Sequence, residues 1–284
     1  MSRNVTISNE ELEVVINTYG AELKSMKKCG KEYLWGGDPE VWSGQAPILF
    51  PICGAFKDDK YIYEGKEYTI PKHGFARTSE FELESAEKEK AVFLLKSTEE
   101  TYKNYPFEFE LRITYLLNGN RLEVTFETTN KGENKMYFSI GSHEAYDCPE
   151  GIEEYSVIFE HEEEFESNIL DGELLEYNKI KLEKTGTEFP LKYKYFAIDA
   201  QVFTNAKSRK VTLKNRKTGK CIDVAFPDAD YLLLWTKPTG KYICIEPWSG
   251  VPDFVDSDYD ITHKPGIVEL ESGKTNIKKH SITL

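Results

Sequence analysis

Residues 109–128 constrain the fold more than any other part of this chain. Leu111, Ile113, Tyr115 and Leu117 alternate with other residues, Asn118-Gly119 interrupts, and Leu122, Val124 and Phe126 resume the alternation. A period of two sends successive side chains to opposite faces of a strand. Asn-Gly between two such runs predicts a tight hairpin, because both residues tolerate positive φ. A second hairpin is predicted at Tyr61-Ile-Tyr63, Glu64-Gly65-Lys66 and Glu67-Tyr-Thr-Ile70. Short runs of Val, Ile, Thr and aromatics predict further strands at 13–16, 81–83, 91–96, 137–140, 155–159, 200–204, 210–215, 221–226, 231–235, 242–246 and 266–270. Helical periodicity over about ten or more residues is absent, and only 98–105, before Pro106, reads as a helical turn. Many short strands with polar turns predict a mainly β chain, a large antiparallel β-sandwich in one domain over residues 1–284.

Composition narrows the partners. Of 284 residues, 39% are hydrophobic, enough for a sizeable core. The net charge of -13 repels phosphate backbones and anionic lipid, so neither nucleic acid nor a membrane is expected as a partner. The N-terminal residues lack an apolar run and no later stretch is long and apolar enough to span a bilayer, which predicts a cytoplasmic protein. The five cysteines (29, 53, 148, 221 and 244) are scattered and never form Cys-x-x-Cys, so they are expected to be small buried hydrophobes rather than disulfides or zinc ligands. Residues 160–166 are a charge run, read as a solvated face.

Three segments carry candidate chemistry. In Tyr137-Phe-Ser-Ile-Gly-Ser-His143, strand parity puts Tyr137, Ser139, Gly141 and His143 on one face. The small residues beside His143 predict room for a ligand above the sheet. In Lys241-Tyr-Ile-Cys-Ile-Glu246-Pro-Trp248, a carboxylate ends an apolar run, where ionisation is costly unless it is paired. Pro247 lacks a donor and is expected to end that strand. Third, Pro71-Lys72-His73-Gly74-Phe75-Ala76-Arg77 gathers three cationic residue types in one loop. Taken singly, His143 and Glu246 read more readily as structural, a hydrogen-bonded histidine and a salt-bridged glutamate, and the loop reads equally well as a basic surface loop. His161, His263 and His280 offer less, and no His-x-x-x-His or clustered ligand set points to a metal. Glycine-rich nucleotide loops and a Gly-x-Ser-x-Gly elbow are also absent from the sequence.

Taken in order, these segments resemble the aldose 1-epimerase (galactose mutarotase-like) family, in its shorter bacterial branch. The resemblance rests on Gly20-Ala-Glu-Leu23, Glu32-Tyr-Leu-Trp35 with Asp38-Pro39, Ala46-Pro-Ile-Leu-Phe-Pro51 with Gly54, Lys72–Arg77, Gly141-Ser-His143 and Cys244-Ile-Glu-Pro-Trp248 with Gly250. It implies a β-supersandwich and cofactor-independent interconversion of the anomers of an aldose, with no metal. By the same resemblance Glu246 matches the general base, His143 the general acid and His73 a sugar-binding histidine. Asp199 looks similar to a carboxylate that holds sugar hydroxyls. The family's sugar-binding arginine has no counterpart after Gly54, where Lys57 stands. A point charge does not reproduce a guanidinium fork.

The expected ligand is a small-molecule sugar, with Trp248 and Trp235 available to stack on its C–H face. Lys57, Lys72 or Arg77 would take the phosphate if the substrate is a hexose 6-phosphate. A catalytically silent carbohydrate-binding sandwich would keep these contacts without an acid–base pair. A glycoside hydrolase would need a second carboxylate, with Asp199 as partner to Glu246. Monomer and homodimer are both compatible with the sequence.

Overall fold

The computed structural model describes residues 2–284. Its framework is two large antiparallel sheets. One orders its strands Gly186–Pro190, Tyr155–Glu163, Lys210–Asn215, Cys221–Ala225, Thr275–Thr283, Arg121–Asn130, Phe109–Asn118, Lys90–Lys96 and Glu82–Ala86. The other runs Leu174–Lys181, Glu166–Asp171, Gln201–Phe203, Tyr231–Trp235, Tyr242–Trp248, Gly141–Ser142 and Ile48–Leu49, and Glu144–Asp147 also pairs with Tyr242–Trp248. A smaller sheet joins Asn4–Ser8, Leu12–Asn17, Leu23–Lys28 and Lys31–Glu32. The one α-helix among the described residues, Glu99–Asn104, is capped by the Thr98 side chain, which accepts from the Thr101 amide.

The alternation that opened the sequence reading is observed. Along Phe109–Asn118 the buried residues are Phe109, Leu111, Ile113, Tyr115 and Leu117. The turn differs by one residue: Asn118 pairs with Arg121, so Gly119 and Asn120 form the loop, with Gly119 at φ 58°. Glycine in the first loop position suits a type II′ turn, whereas the expected Asn-Gly pair would have made a type I′ turn. The shift moves each cross-strand partner by two residues, so the buried faces are unchanged.

The eight-stranded sheet is buried on both faces, and this positions the site. Leu232, Leu234, Ile243 and Ile245 face the nine-stranded sheet and share a cluster with Val124, Val211 and Ile282. Leu233 and Trp248 face the other way with Leu49 and Val202, while Ala145, Tyr242 and Cys244 pack under Trp35, Trp42 and Trp235. Burial on both sides explains the nearly continuous apolar run before Glu246.

Three sequence expectations are corrected here. The strand predicted at 137–140 ends at Phe138, because the next two amides are taken outside the sheet: Ser139 N–H donates to Pro51 O and Ile140 N–H to Ser249 Oγ. The space over Gly141 is not open either: a Cβ there would lie 2.5 Å from Trp248 Cδ1 and 3.0 Å from Cys53 Sγ. The small residue seats the tryptophan. Finally, Tyr242–Trp248 continues through Pro247. Gly141 pairs with Trp248 and Glu144 with Ile245, so the same register sets Ser142 opposite Pro247 and His143 opposite Glu246. Pro247 has no N–H to give, and the Ser142 carbonyl instead accepts from Trp248 Nε1 at 3.1 Å.

Two smaller expectations also change. Cys29 and Cys221 are exposed, while Cys53, Cys148 and Cys244 are buried, and all five are free thiols. Within the charge run, Glu163 is buried and accepts from the amides of Lys207 and Ser208 and the Ser208 hydroxyl.

Overpacking at Gly141 gives a test. Gly141→Ala should destabilise the fold by about 1–3 kcal/mol, visible by calorimetry as a melting temperature several degrees lower. An unchanged melting temperature would mean that the Trp248 ring moves aside without cost.

Candidate active site

The outer face of the eight-stranded sheet floors a cavity of about 320 Å³, near the lower end of small-ligand pockets. His143 and Glu246 meet on that floor as cross-strand neighbours, with Nε2 to Oε2 at 3.3 Å. Their side chains are 12% and 2% exposed. Among the described residues, neither His143 Nδ1 nor Glu246 Oε1 has a hydrogen-bond partner, although both atoms are buried. Buried polar atoms in native folds are satisfied as a rule, so two unpartnered atoms in one cavity-lining contact mark the pair as a candidate site.

Burial sets the protonation of both groups. Desolvation pushes the Glu246 carboxyl well above its usual range, Asp199 adds to the rise and Lys72 opposes it. Desolvation pulls His143 down to about 4, with the cations Arg77 and Lys72 assisting and Glu144 opposing. The contact is thus an ion pair only in outline. In the resting cavity both directions favour neutral groups, with a transferable proton on Glu246 and a free imidazole facing it.

His73 enters from the loop after the second hairpin, at the left-handed φ of 67°. That conformation costs a non-glycine residue about 1–3 kcal/mol and has to be held by its surroundings. Reciprocal bonds hold it: His73 N–H donates to Gly54 O at 2.8 Å, and Gly54 N–H donates to His73 Nδ1 at 3.1 Å. Because Nδ1 accepts, the neutral ring carries its proton on Nε2. Burial keeps the ring neutral by lowering its proton affinity, and His143 and Lys72 add to that. His73 therefore offers one N–H donor to the cavity it lines.

The remaining expected residues divide. Asp199, Arg77 and Trp248 line the cavity, and Lys72 and Trp235 do so as well. Arg77 Nη2 donates to Lys72 O, and Lys72 meets Glu173 at 3.3 Å. Trp248 is nearly buried, edge-on to His73, with its indole N–H committed to Ser142 O, so it is wall rather than exposed platform. Lys57 is not among the lining residues. Asp58 and Asp59 at φ 56° and 54° turn the chain away, and Lys57 Nζ sits 5.3 Å from the Tyr259 ring centroid. The arginine that does line the cavity, Arg77, comes from a different loop.

Two lining residues had no local signal. Trp42, on an irregular loop, lies 5.2 Å from the His143 ring. Glu173 follows Gly172 at a hairpin tip and reaches the cavity through its pairing with Lys72. One group among the described residues approaches a ligand set: His143, Cys244 and Glu246 have ligand atoms within 4.8 Å of one another. That spacing is loose for an ion bound at about 2.0–2.3 Å, and burial holds the Cys244 thiol well above its usual range, in the protonated form.

With this geometry established, the comparisons with known proteins decide the family. The family described as "Aldose 1-epimerase" matches residues 3–281. The chain belongs to the aldose 1-epimerase family. A relative from Lactococcus lactis subsp. lactis, described as plasmid protein LacX, is 38% identical over 99% of both chains. A "galactose mutarotase related enzyme" from Lactobacillus acidophilus has TM-score 0.92 and 35% identity over 99% of this chain and 97% of its own. A galactose mutarotase-like protein from Lactobacillus casei ATCC 334 has TM-score 0.93 and 27% identity over 99% of both. Membership implies an isomerase acting on a small-molecule sugar and fits the β-sandwich. No helix among the described residues is long and apolar enough to cross a membrane.

The electrostatics of the pair are open to direct measurement. In nitrogen-resolved NMR titrations, His143 should stay neutral through pH 6 and protonate only near pH 4. A midpoint near 6.5, the ordinary histidine value, would contradict the desolvated pair.

Proposed function

We propose that the protein interconverts the α and β anomers of a hexose, with His143 and Glu246 exchanging protons with the ring. The observation that carries this reading is the buried His143–Glu246 contact, two cavity-lining residues that each keep a buried polar atom without a partner.

Anomer exchange opens the ring hemiacetal and closes it on the other face. The C1 hydroxyl must lose a proton, and the ring oxygen must gain one as the C1–O5 bond breaks. A pair holding a transferable proton can do both, and after rotation about C1–C2 it runs the steps in reverse. In the proposed cycle the proton crosses from Glu246 to His143 as the sugar's hydroxyls enter. Glu246 is then the base on the C1 hydroxyl, and His143 is the acid on the ring oxygen. Net charge is conserved within the pair, so the low-dielectric floor has no unpaired ion to stabilise. His73 Nε2–H, Asp199 and Arg77 are proposed to hold the other oxygens, and the tryptophan wall to receive the apolar C–H face. The chemistry as proposed uses only proton transfers.

A second reading runs the pair in the opposite sense, with neutral His143 as base and protonated Glu246 as acid. The burial of both groups favours it. Infrared difference spectra of the complex with a non-opening methyl glycoside separate the two. A Glu246 carboxylate band, absent in Glu246→Gln, supports the first sense, and a carboxylic acid band supports the second.

The decisive experiment follows freshly dissolved α-glucose and α-galactose, with their 6-phosphates in parallel, by polarimetry or NMR. Free hexoses should equilibrate faster with the protein than in buffer. A strict requirement for phosphate would assign Arg77 and Lys72 to that group instead. No acceleration with any aldose, alongside measurable binding, would favour a silent carbohydrate-binding protein.

Glu246→Gln should lower kcat by about 10²–10⁴-fold while sugar binding persists. For wild type, kcat/KM should be flat through neutrality and fall as pH drops through about 4. Below that value the pair carries a proton on both members and has no base left. Loss of activity already at pH 6.5 would sink the coupled-pair reading.

A further inference from the structure

A second buried acid–base pair lies on the opposite face of the catalytic strands. His280 Nε2 and Glu144 Oε1 are 2.7 Å apart, and both side chains are buried. Glu144 follows His143, so strand alternation sends its side chain to the inner face of the sheet. His280 projects from Thr275–Thr283 of the nine-stranded sheet, where it pairs with Val124. The contact therefore ties the two layers together one residue from the proposed catalytic imidazole.

The backbone at His143 has unusual need of such a tie. Gly141–Ser142 and Glu144–Asp147 are separate strands with His143 between them, in register with Tyr242–Trp248 on either side. The interruption falls opposite Glu246 and Pro247, where the proline has no N–H to give. Side chains take over from the ladder: Trp248 Nε1–H donates to Ser142 O before His143, and Glu144 binds His280 after it.

We propose that Glu144 and His280 are positioning residues for anomer exchange, fixing His143 from behind and presenting it with a buried negative charge. The proposal rests on the catalytic role assigned above to His143. Burial alone would raise the Glu144 carboxyl, but the His280 contact opposes it and the group is held below the usual carboxylate range. The resulting carboxylate raises the proton affinity of His143 against its desolvation. The ionisable groups facing His143 from other elements are Glu246 and the Cys244 thiol from the neighbouring strand, and Lys72, His73 and Arg77 from the loop. Glu144 itself faces His280 and the phenols of Tyr115 and Tyr146.

The test compares Glu144→Gln, Glu144→Asp, His280→Gln and the apolar double variant Glu144→Leu with His280→Leu. Each is measured for kcat, KM, the acid limb of the pH profile, the His143 titration midpoint and melting temperature. Glu144→Gln should lower kcat by about 10–100-fold with KM little changed. Its acid limb and His143 midpoint should both move to lower pH, and Glu144→Asp should restore them. The double variant, which replaces the pair with apolar packing, should fold yet stay slow. A merely structural pair would lower melting temperature alone. Wild-type kcat and an unmoved acid limb in Glu144→Gln, or full activity in the double variant, would overturn the proposal. If the wild type accelerates no anomer exchange, the function proposed above fails; the His143 midpoint in Glu144→Gln then still decides the electrostatic claim, and an unmoved value would refute it.

Discussion

The pairing of Tyr242–Trp248 with its neighbours is the constraint on which the site depends. That strand lies inside a sheet covered on both faces, so its side chains divide between two dry environments. Ile243 and Ile245 go to the core between the sheets, while Cys244, Glu246 and Trp248 go to the cavity side. An ionisable side chain on such a strand has no bulk water to fall back on. The register that sets Glu246 opposite His143 gives each its nearest partner, and desolvation makes the neutral forms the resting ones. Geometry and protonation thus follow from one cross-strand alignment.

Much of the sandwich was legible locally. Strands with clean alternation, such as Phe109–Asn118, or with dense β-branched and aromatic content, such as Tyr231–Trp235, announce themselves because their neighbours in sequence encode the buried face. Leu174–Lys181 and Glu166–Asp171 did not, since their polar residues are carried by pairing to each other and to Gln201–Phe203. Sheet order, which comes from contacts between distant segments, had no local signal at all.

The site was legible to a similar depth. His143, Glu246 and His73 stand in short ordered segments, and the fold brings all three to one cavity. Lys57 was placed by its distance from Gly54, but backbone direction rather than sequence distance decides what reaches the cavity, and two left-handed aspartates send it to Tyr259. Arg77 takes the cavity position from a different loop. Parity counting from Tyr137 points to a histidine that does line the cavity, but for an incomplete reason, because the strand breaks at Ser139 and the room over Gly141 belongs to Trp248. His280 lies near the chain end, yet its strand, Thr275–Thr283, runs through the middle of the larger sheet.

Pro247 has a further consequence. In most strands a register slip exchanges one set of main-chain bonds for an equivalent set. Here a slip of one residue would bring a carbonyl that expects a donor opposite the proline, would strand the indole N–H that now serves Ser142, and would turn Glu246 toward the core. The missing donor acts as a key cut into the main chain. Only one alignment of the two strands turns in that lock, and it is the alignment that leaves a carboxyl and an imidazole within reach of a shared proton.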